Sequence, residues 1–259
     1  MNQSFDNDQD RPATDSPQPA PAPQSTRVAM PRSAPYVTYT IIGVTVFVYL
    51  LQLASQALLQ VDLPIVLFVK SNELIRSGQL WRLLTPALLH GSIMHIGFNM
   101  YALLSFGTGL ERHFGRGRFL LLYLLGAFTG NVASFIFSSA NSVGASTAIF
   151  GLLGAEGIFL YQNRKLFAGQ FRSAIGNIIF IAAINLFIIG SLPGIDNWGH
   201  IGGLIGGLMF TWFAGPLWEV EGISPMLHLV DRRSSREVLI GAATVVLVFG
   251  ALAMWGMVR

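Results

Sequence analysis

The sequence predicts an all-α fold, a polytopic bundle of membrane helices, and three observations carry that prediction. The chain of 259 residues is 52% hydrophobic and only 11% charged, whereas soluble domains carry about a quarter charged residues. A soluble core of this length could not hide so much apolar surface, and lipid is the simplest solvent for it. Long uncharged stretches recur at 33–61, 83–110, 119–155, 173–195, 197–217 and 238–258. Lys and Arg collect in alternate loops between them, the pattern expected of loops on one side of a bilayer.

The elements follow in order. Residues 1–36 are polar and rich in Pro, Gln, Ser and Asp, and such a segment buries too little apolar area to order itself, so a disordered tail is expected. Its first residues, MNQSFDNDQD, lack the basic start and apolar stretch of a secretory signal. A spanning helix needs about 20 mainly apolar residues. The 119–155 stretch exceeds one span and is broken by the turn-rich SSANSVGAS. Seven transmembrane helices are therefore expected, at 37–58, 94–111, 118–138, 146–162, 173–191, 198–216 and 238–257. They group as a six-helix core, 37–216, and a loop with an additional C-terminal span, 217–259.

Arg112, Arg116 and Arg118 follow span two; Arg164, Lys165 and Arg172 follow span four; Arg232, Arg233 and Arg236 follow span six. The loops after spans three and five carry neither Lys nor Arg. The N-terminus is thus expected in the cytoplasm, with the long first loop and its Lys70, Arg76 and Arg82 as an exception of the kind long loops allow. Spans two, four and six then run from outside to inside. Their first residues share one depth near the outer face, and those residues include His95 and Asn99, Ser146, and His200.

Ser146, in VGASTAIFGLLGA, is the candidate nucleophile. A serine at a helix start is ordinarily a cap, and its hydroxyl is a weak nucleophile until a base takes the proton. His200, in NWGHIGGLIGGL, is the candidate general base and acid; a histidine within a span is costly unless it faces a cavity or a partner. Gly199, Gly203 and Gly207 recur every four residues on span six, Gly202 and Gly206 form a second row, and span four offers Ala148, Gly151, Gly154 and Ala155. Small residues at this spacing let backbones approach closely, which a serine–histidine hydrogen bond between two helices requires.

His95 and Asn99 in LLHGSIMHIGFNM lie four apart on one helix face. With the Ser146 backbone N–H they could stabilise an oxyanion, and His90 borders the same region. A zinc site is not expected, because the HExxH spacing is absent. Asp196 could orient His200 as a third member, although it precedes it by four residues in a loop. Glu156, about 15 Å along the helix from Ser146, is too distant for chemistry and is expected to bond between helices or reach the inner face. Without cysteine there is no thiol chemistry, and no basic stripe with interleaved aromatics points to nucleic acid.

Together GQLWRLLTPALLHGSIMHIGFN, GASTAIFGLLGA and GHIGGLIGG, in that order, resemble the rhomboid family of intramembrane serine proteases over roughly 37–216. The resemblance implies a Ser146–His200 dyad without an acid, no metal and no cofactor, and oxyanion-side roles for His95 and Asn99. It implies that Trp81 and Arg82 belong to a first loop partly embedded in the outer leaflet, and that Phe150 packs on the catalytic histidine. The seventh span resembles the six-plus-one arrangement of part of the family. The family pattern is G-x-S-G; here Gly144 and Ser146 match it and Thr147 departs from it. The implied activity is endopeptidase cleavage of membrane-protein substrates in or beside their transmembrane helices, within a cell membrane, from an active site open to the outer side; the simple tail favours a bacterial inner membrane over an organellar one. Two rivals are a catalytically inactive relative that binds client helices, which Thr147 keeps open, and a transporter, against which the lack of an internal repeat counts.

Overall fold

A computed structural model describes residues 34–223 and 226–259; the expected tail up to residue 33 lies outside them. Helices occupy each of the seven stretches read from the sequence: α1 Tyr36–Leu59, α4 Ile93–Phe114, α5 Arg116–Phe137, α6 Ser146–Gln162, α7 Phe171–Ala183, α8 Asn197–Ala214 and α9 Ser235–Val258. By length and composition, four helical segments among the described residues could cross a membrane: α1, α5, Phe171–Ser191 and α9. The three others, α4, α6 and α8, are the ones that carry the candidate site. α6 has only 17 residues, and α4 and α8 dilute their apolar surface with His95, Asn99, His200 and glycine.

Of the long helices, α4, α8 and α9 begin at a side-chain cap of their own. Ser92 accepts from His95 N–H and starts α4. Asp196 accepts from Gly199 N–H and starts α8. Ser234 and Glu237 form a reciprocal capping box at α9. Nothing in α1's own sequence caps it; the Glu111 carboxylate, from the far end of α4, accepts from Val37 N–H at 2.9 Å and from Thr38 N–H and Oγ at 2.7 Å. An anion at a helix N-terminus meets both the orphan donors and the dipole. Gly115 alone separates α4 from α5, at φ 75°.

The core is the triad α5, α6 and α8. α5 and α6 are buried along most of their lengths, while α1, α7 and α9 leave most of their apolar surface outward. The two glycine rows of α8 face different neighbours. A Cβ on Gly203 would lie 2.0 Å from Thr147 O and one on Gly207 1.9 Å from Gly151 O, both on α6. One on Gly202 would meet Ala133 Cβ at 2.4 Å and one on Gly206 Thr129 Oγ at 2.1 Å, both on α5.

Three features depart from the expectation. The first loop folds into α2 Leu63–Phe68, α3 Asn72–Arg76 and two 3-10 turns, Leu80–Leu83 and Thr85–Leu88. The fifth stretch is not one regular helix: α7 gives way to a π-helical turn, Ile184–Ile188, and a 3-10 turn, Ile189–Ser191. The connection to α9 holds an antiparallel hairpin, β1 Trp218–Glu221 with β2 His228–Asp231, in register Trp218↔Asp231. Asp231 joins it to α5 through Arg118 at 2.9 Å. Strands of four residues are too short for their alternation to be read reliably from sequence.

Candidate active site

The segment 138–145 after α5 delivers Ser146 as the first residue of α6. Gly144 makes this turn possible: its φ is 133°, and a Cβ there would lie 2.8 Å from His95 Nε2. Ser146 Oγ then lies 3.0 Å from His200 Nε2, within hydrogen-bond reach for proton transfer. His200 sits in the first turn of α8, is only 7% exposed, and stacks on Phe150 with ring centroids 4.3 Å apart and planes 10° from parallel. Phe150 is one turn below Ser146 on α6, so one helix supplies both the hydroxyl and the plate that orients the imidazole.

Thr147, the departure from the family pattern, occupies a socket of glycines. Its Cγ2 would stand 3.0 Å from a Cβ on Gly199 and its Cβ 2.5 Å from one on Gly130. The crowding a β-branched residue would bring here is absorbed by those two missing side chains. Thr147 is buried and its Oγ has no hydrogen-bond partner among the described residues.

The His95 ring and the serine hydroxyl both face Gly144: a Cβ there would lie 2.8 Å from His95 Nε2 and 3.5 Å from Ser146 Oγ. Asn99 is buried, and its Nδ2 donates to His95 O at 3.0 Å within its own helix. His90 is buried deeper: its Nε2 accepts from Ala145 N–H at 3.4 Å, and its ring meets His95 edge-on at 5.0 Å. Burial, and secondarily the His95 ring, push the His90 pKa down to about 3, so this imidazole stays neutral and keeps an acceptor nitrogen. Gln52 of α1 brackets His90 from both sides, its Oε1 accepting from His90 N–H at 3.0 Å and its Nε2 donating to His90 O at 3.1 Å.

Other residues named from the sequence lie elsewhere. The Asp196 carboxylate caps α8 through Gly199 N–H, and Asp196 bonds His200 only through the backbone, its O accepting from His200 N–H at 3.2 Å; the His200 Nδ1 has no hydrogen-bond partner among the described residues. Glu156 makes no interhelical bond through Oε2; it lines a cavity of about 230 Å³ with His113, Phe159, Phe167 and Gln170. Trp81 and Arg82 build the first loop: Trp81 Nε1 donates to Leu67 O at 3.2 Å, and Arg82 donates to Val66 O and Val69 O, both at 2.8 Å. Three residues have structural roles the sequence reading does not assign, Lys70 counting there only as a loop charge. Gln52 and Glu111 carried a usable signal, a polar group inside or at the end of a span. Lys70, buried in the first loop, carried none.

The residues 77–217 match the model of the Rhomboid domain. The chain is 46% identical over 173 residues to "Rhomboid protease GluP" of Bacillus subtilis (strain 168), covering 67% of this chain and 34% of that protein. It is 37% identical over 184 residues to "RHOMBOID-like protein 2" of Arabidopsis thaliana, covering 69% and 57%. It is 32% identical over 160 residues to "RHOMBOID-like protein 9, chloroplastic" of the same plant, covering 61% and 37%. The chain thus spans between about a third and somewhat over half the length of these relatives.

Proposed function

The chain belongs to the rhomboid family, and from that membership we propose that it is an intramembrane serine endopeptidase acting on membrane-protein substrates through Ser146 and His200. The observation that carries this reading is the 3.0 Å approach of Ser146 Oγ to His200 Nε2. Two polar side chains from helices 54 positions apart have little reason to meet in an apolar bundle unless they act together.

In this mechanism His200 takes the hydroxyl proton as Ser146 Oγ attacks a substrate carbonyl carbon. The oxyanion forms near the N-terminus of α6, where the Ser146 N–H and the dipole favour negative charge. His95 stands across Gly144 as a further donor, and Asn99 keeps one Nδ2 hydrogen beyond the one given to His95 O. His200 passes its proton to the leaving amine, the acyl-enzyme forms, and water hydrolyses it with His200 again as base. Because a helical peptide bond is shielded, substrates unwound near the outer end of their span by Gly, Pro or β-branched residues are preferred. Asp196 takes no step. The chain crosses the bilayer seven times in a six-plus-one arrangement, with the N-terminus in the cytoplasm of a bacterial cell and the site open to the outer side.

Ser146→Ala and His200→Ala are each expected to lower cleavage of a tagged single-span substrate by roughly 10³-fold or more, and Ser146→Ala to abolish labelling by a fluorophosphonate. Cleavage undiminished in either variant would remove the dyad. An unlabelled but folded native protein would favour the client-binding relative, whose sequence support, Thr147, is weakened by the glycine socket that receives it.

A further inference from the structure

We propose that Lys70 is a positioning residue for the nucleophile: its buried side chain holds the segment 138–145 so that Ser146 enters α6 within reach of His200. This rests on the serine-hydrolase reading above. A lysine in a loop ordinarily extends into water, yet Lys70, between α2 and α3, is 0% exposed. Its Nζ donates to Ser138 O at 3.1 Å and to Ala140 O at 2.8 Å. Ser138 is the C-cap of α5, where the helix dipole favours a cation, and Ala140 lies two residues beyond it. The Lys70 backbone pairs with Ser142 in both directions, its N–H donating to Ser142 O at 3.1 Å and its O accepting from Ser142 N–H at 3.2 Å. Asn72 adds donations to Phe135 O at 3.3 Å and Ser138 O at 2.9 Å.

The ties continue up to the nucleophile. Gly144 N–H donates to Pro86 O at 2.9 Å, and Ala145 N–H donates to His90 Nε2. The segment leading to Ser146 is therefore fastened to the first loop at residues 138, 140, 142, 144 and 145, and the next residue is the nucleophile. Irregular backbone has many conformations to lose; here the first loop, and not a ladder of the segment's own, selects one. Lys70 supplies the charged members of that set of bonds.

The charge gives the proposal a signature. Burial lowers the Lys70 pKa from 10.5 to about 8, against the pull of the Asp196 carboxylate at the start of α8 and with the help of Arg76 in α3, the charged groups that face it. Below about pH 8 the ammonium is present and its charge-assisted bonds hold the segment. As pH rises through that value they weaken. Stability moves the other way. Between about pH 8 and 10.5 the unfolded chain binds more protons at this site than the folded one, so this group's effect on folding becomes more favourable as pH rises. A fall in reactivity across that window without a fall in thermal midpoint therefore marks a positioning role and not unfolding.

The test uses the full chain in lipid vesicles. The rate of fluorophosphonate labelling at Ser146 is expected to fall above about pH 8 in the native protein while the thermal midpoint holds. Lys70→Arg, charged throughout, is expected to lose that alkaline limb. Lys70→Met is expected to label ~10–100-fold more slowly at neutral pH and to show no step near pH 8. In a Ser146→Ala background, where no labelling is possible, Lys70→Met is expected to speed amide exchange at Ser142, Gly144 and Ala145 while leaving α9 unchanged. Labelling of Lys70→Met within about twofold of native, with the native pH profile, or unchanged exchange over 138–145 overturns the proposal. Should Lys70→Met fail to fold, a native labelling rate flat through pH 8 overturns it alone. A native protein that never labels sinks the hydrolase reading, and the exchange experiment still decides whether Lys70 holds the segment.

Discussion

At the scale of single residues, the site depends on side chains that are missing as much as on those present. Gly203 lets α8 lie against Thr147 O with a virtual Cβ separation of 2.0 Å, so Gly203→Ala must push the helix of His200 away from the helix of Ser146. We expect a loss of ~1–3 kcal/mol in stability and a fall in fluorophosphonate labelling that exceeds it. Gly43 in α1 has no atom within 4 Å of a virtual Cβ; Gly43→Ala is the control and should be neutral or stabilising by ~0.5–1 kcal/mol. The Phe150–His200 stack predicts that Phe150→Ala lowers labelling by ~2–10-fold, the rate equivalent of the ~0.5–1.5 kcal/mol of an aromatic pair, with the thermal midpoint measured alongside to separate orientation from unfolding. Ser146 and His200 stood out in the sequence as polar residues at span starts, while Gly144 and Phe150 were singled out only by the resemblance to the family pattern. The partners of His90 and the glycine socket of Thr147 were not, because each joins residues tens of positions apart whose meeting depends on packing.

At the scale of elements, one helix here is capped by another. Glu111 closes the start of α1 from the end of α4, fully buried and bonded to Val37 and Thr38. Glu111→Ala would orphan two N–H groups inside the bundle, and we expect a loss of about 2–4 kcal/mol, read as a lower thermal midpoint. Ser234→Ala removes the exposed capping box of α9 and should cost only ~1 kcal/mol. The second cap is a local S-x-x-E pattern, its two members three residues apart. The first has no such local pattern, because a carboxylate at the end of one span gives no hint of which other helix it will close. The first loop makes the same point: its two short helices and two 3-10 turns are organised by Arg82 bonding to Val66 and Val69 and by Lys70 bonding beyond α5, contacts without local periodicity.

At the scale of the whole molecule, the order of α4, α6 and α8 in the bundle decides that their starts converge. With no native cysteine, single cysteines at Ala140 and at Lys165 should be modified from opposite sides of sealed vesicles, position 140 from the outer side; the reverse result would invert the proposed orientation. Hydropathy and loop charge determined the membrane class and the stretches that become helices, because each is a local sum over consecutive residues. Spacing put His95 and Asn99 on one helix face, because a helix places i and i+4 together, and span starts singled out Ser146 and His200 as candidates. Only the tertiary structure decided that the serine and histidine meet at 3.0 Å, that Asp196 serves its own helix and not the imidazole, and that a loop lysine is buried against the end of α5. Those outcomes turn on distances between segments far apart in the chain, which close packing sets and no local pattern of residues encodes.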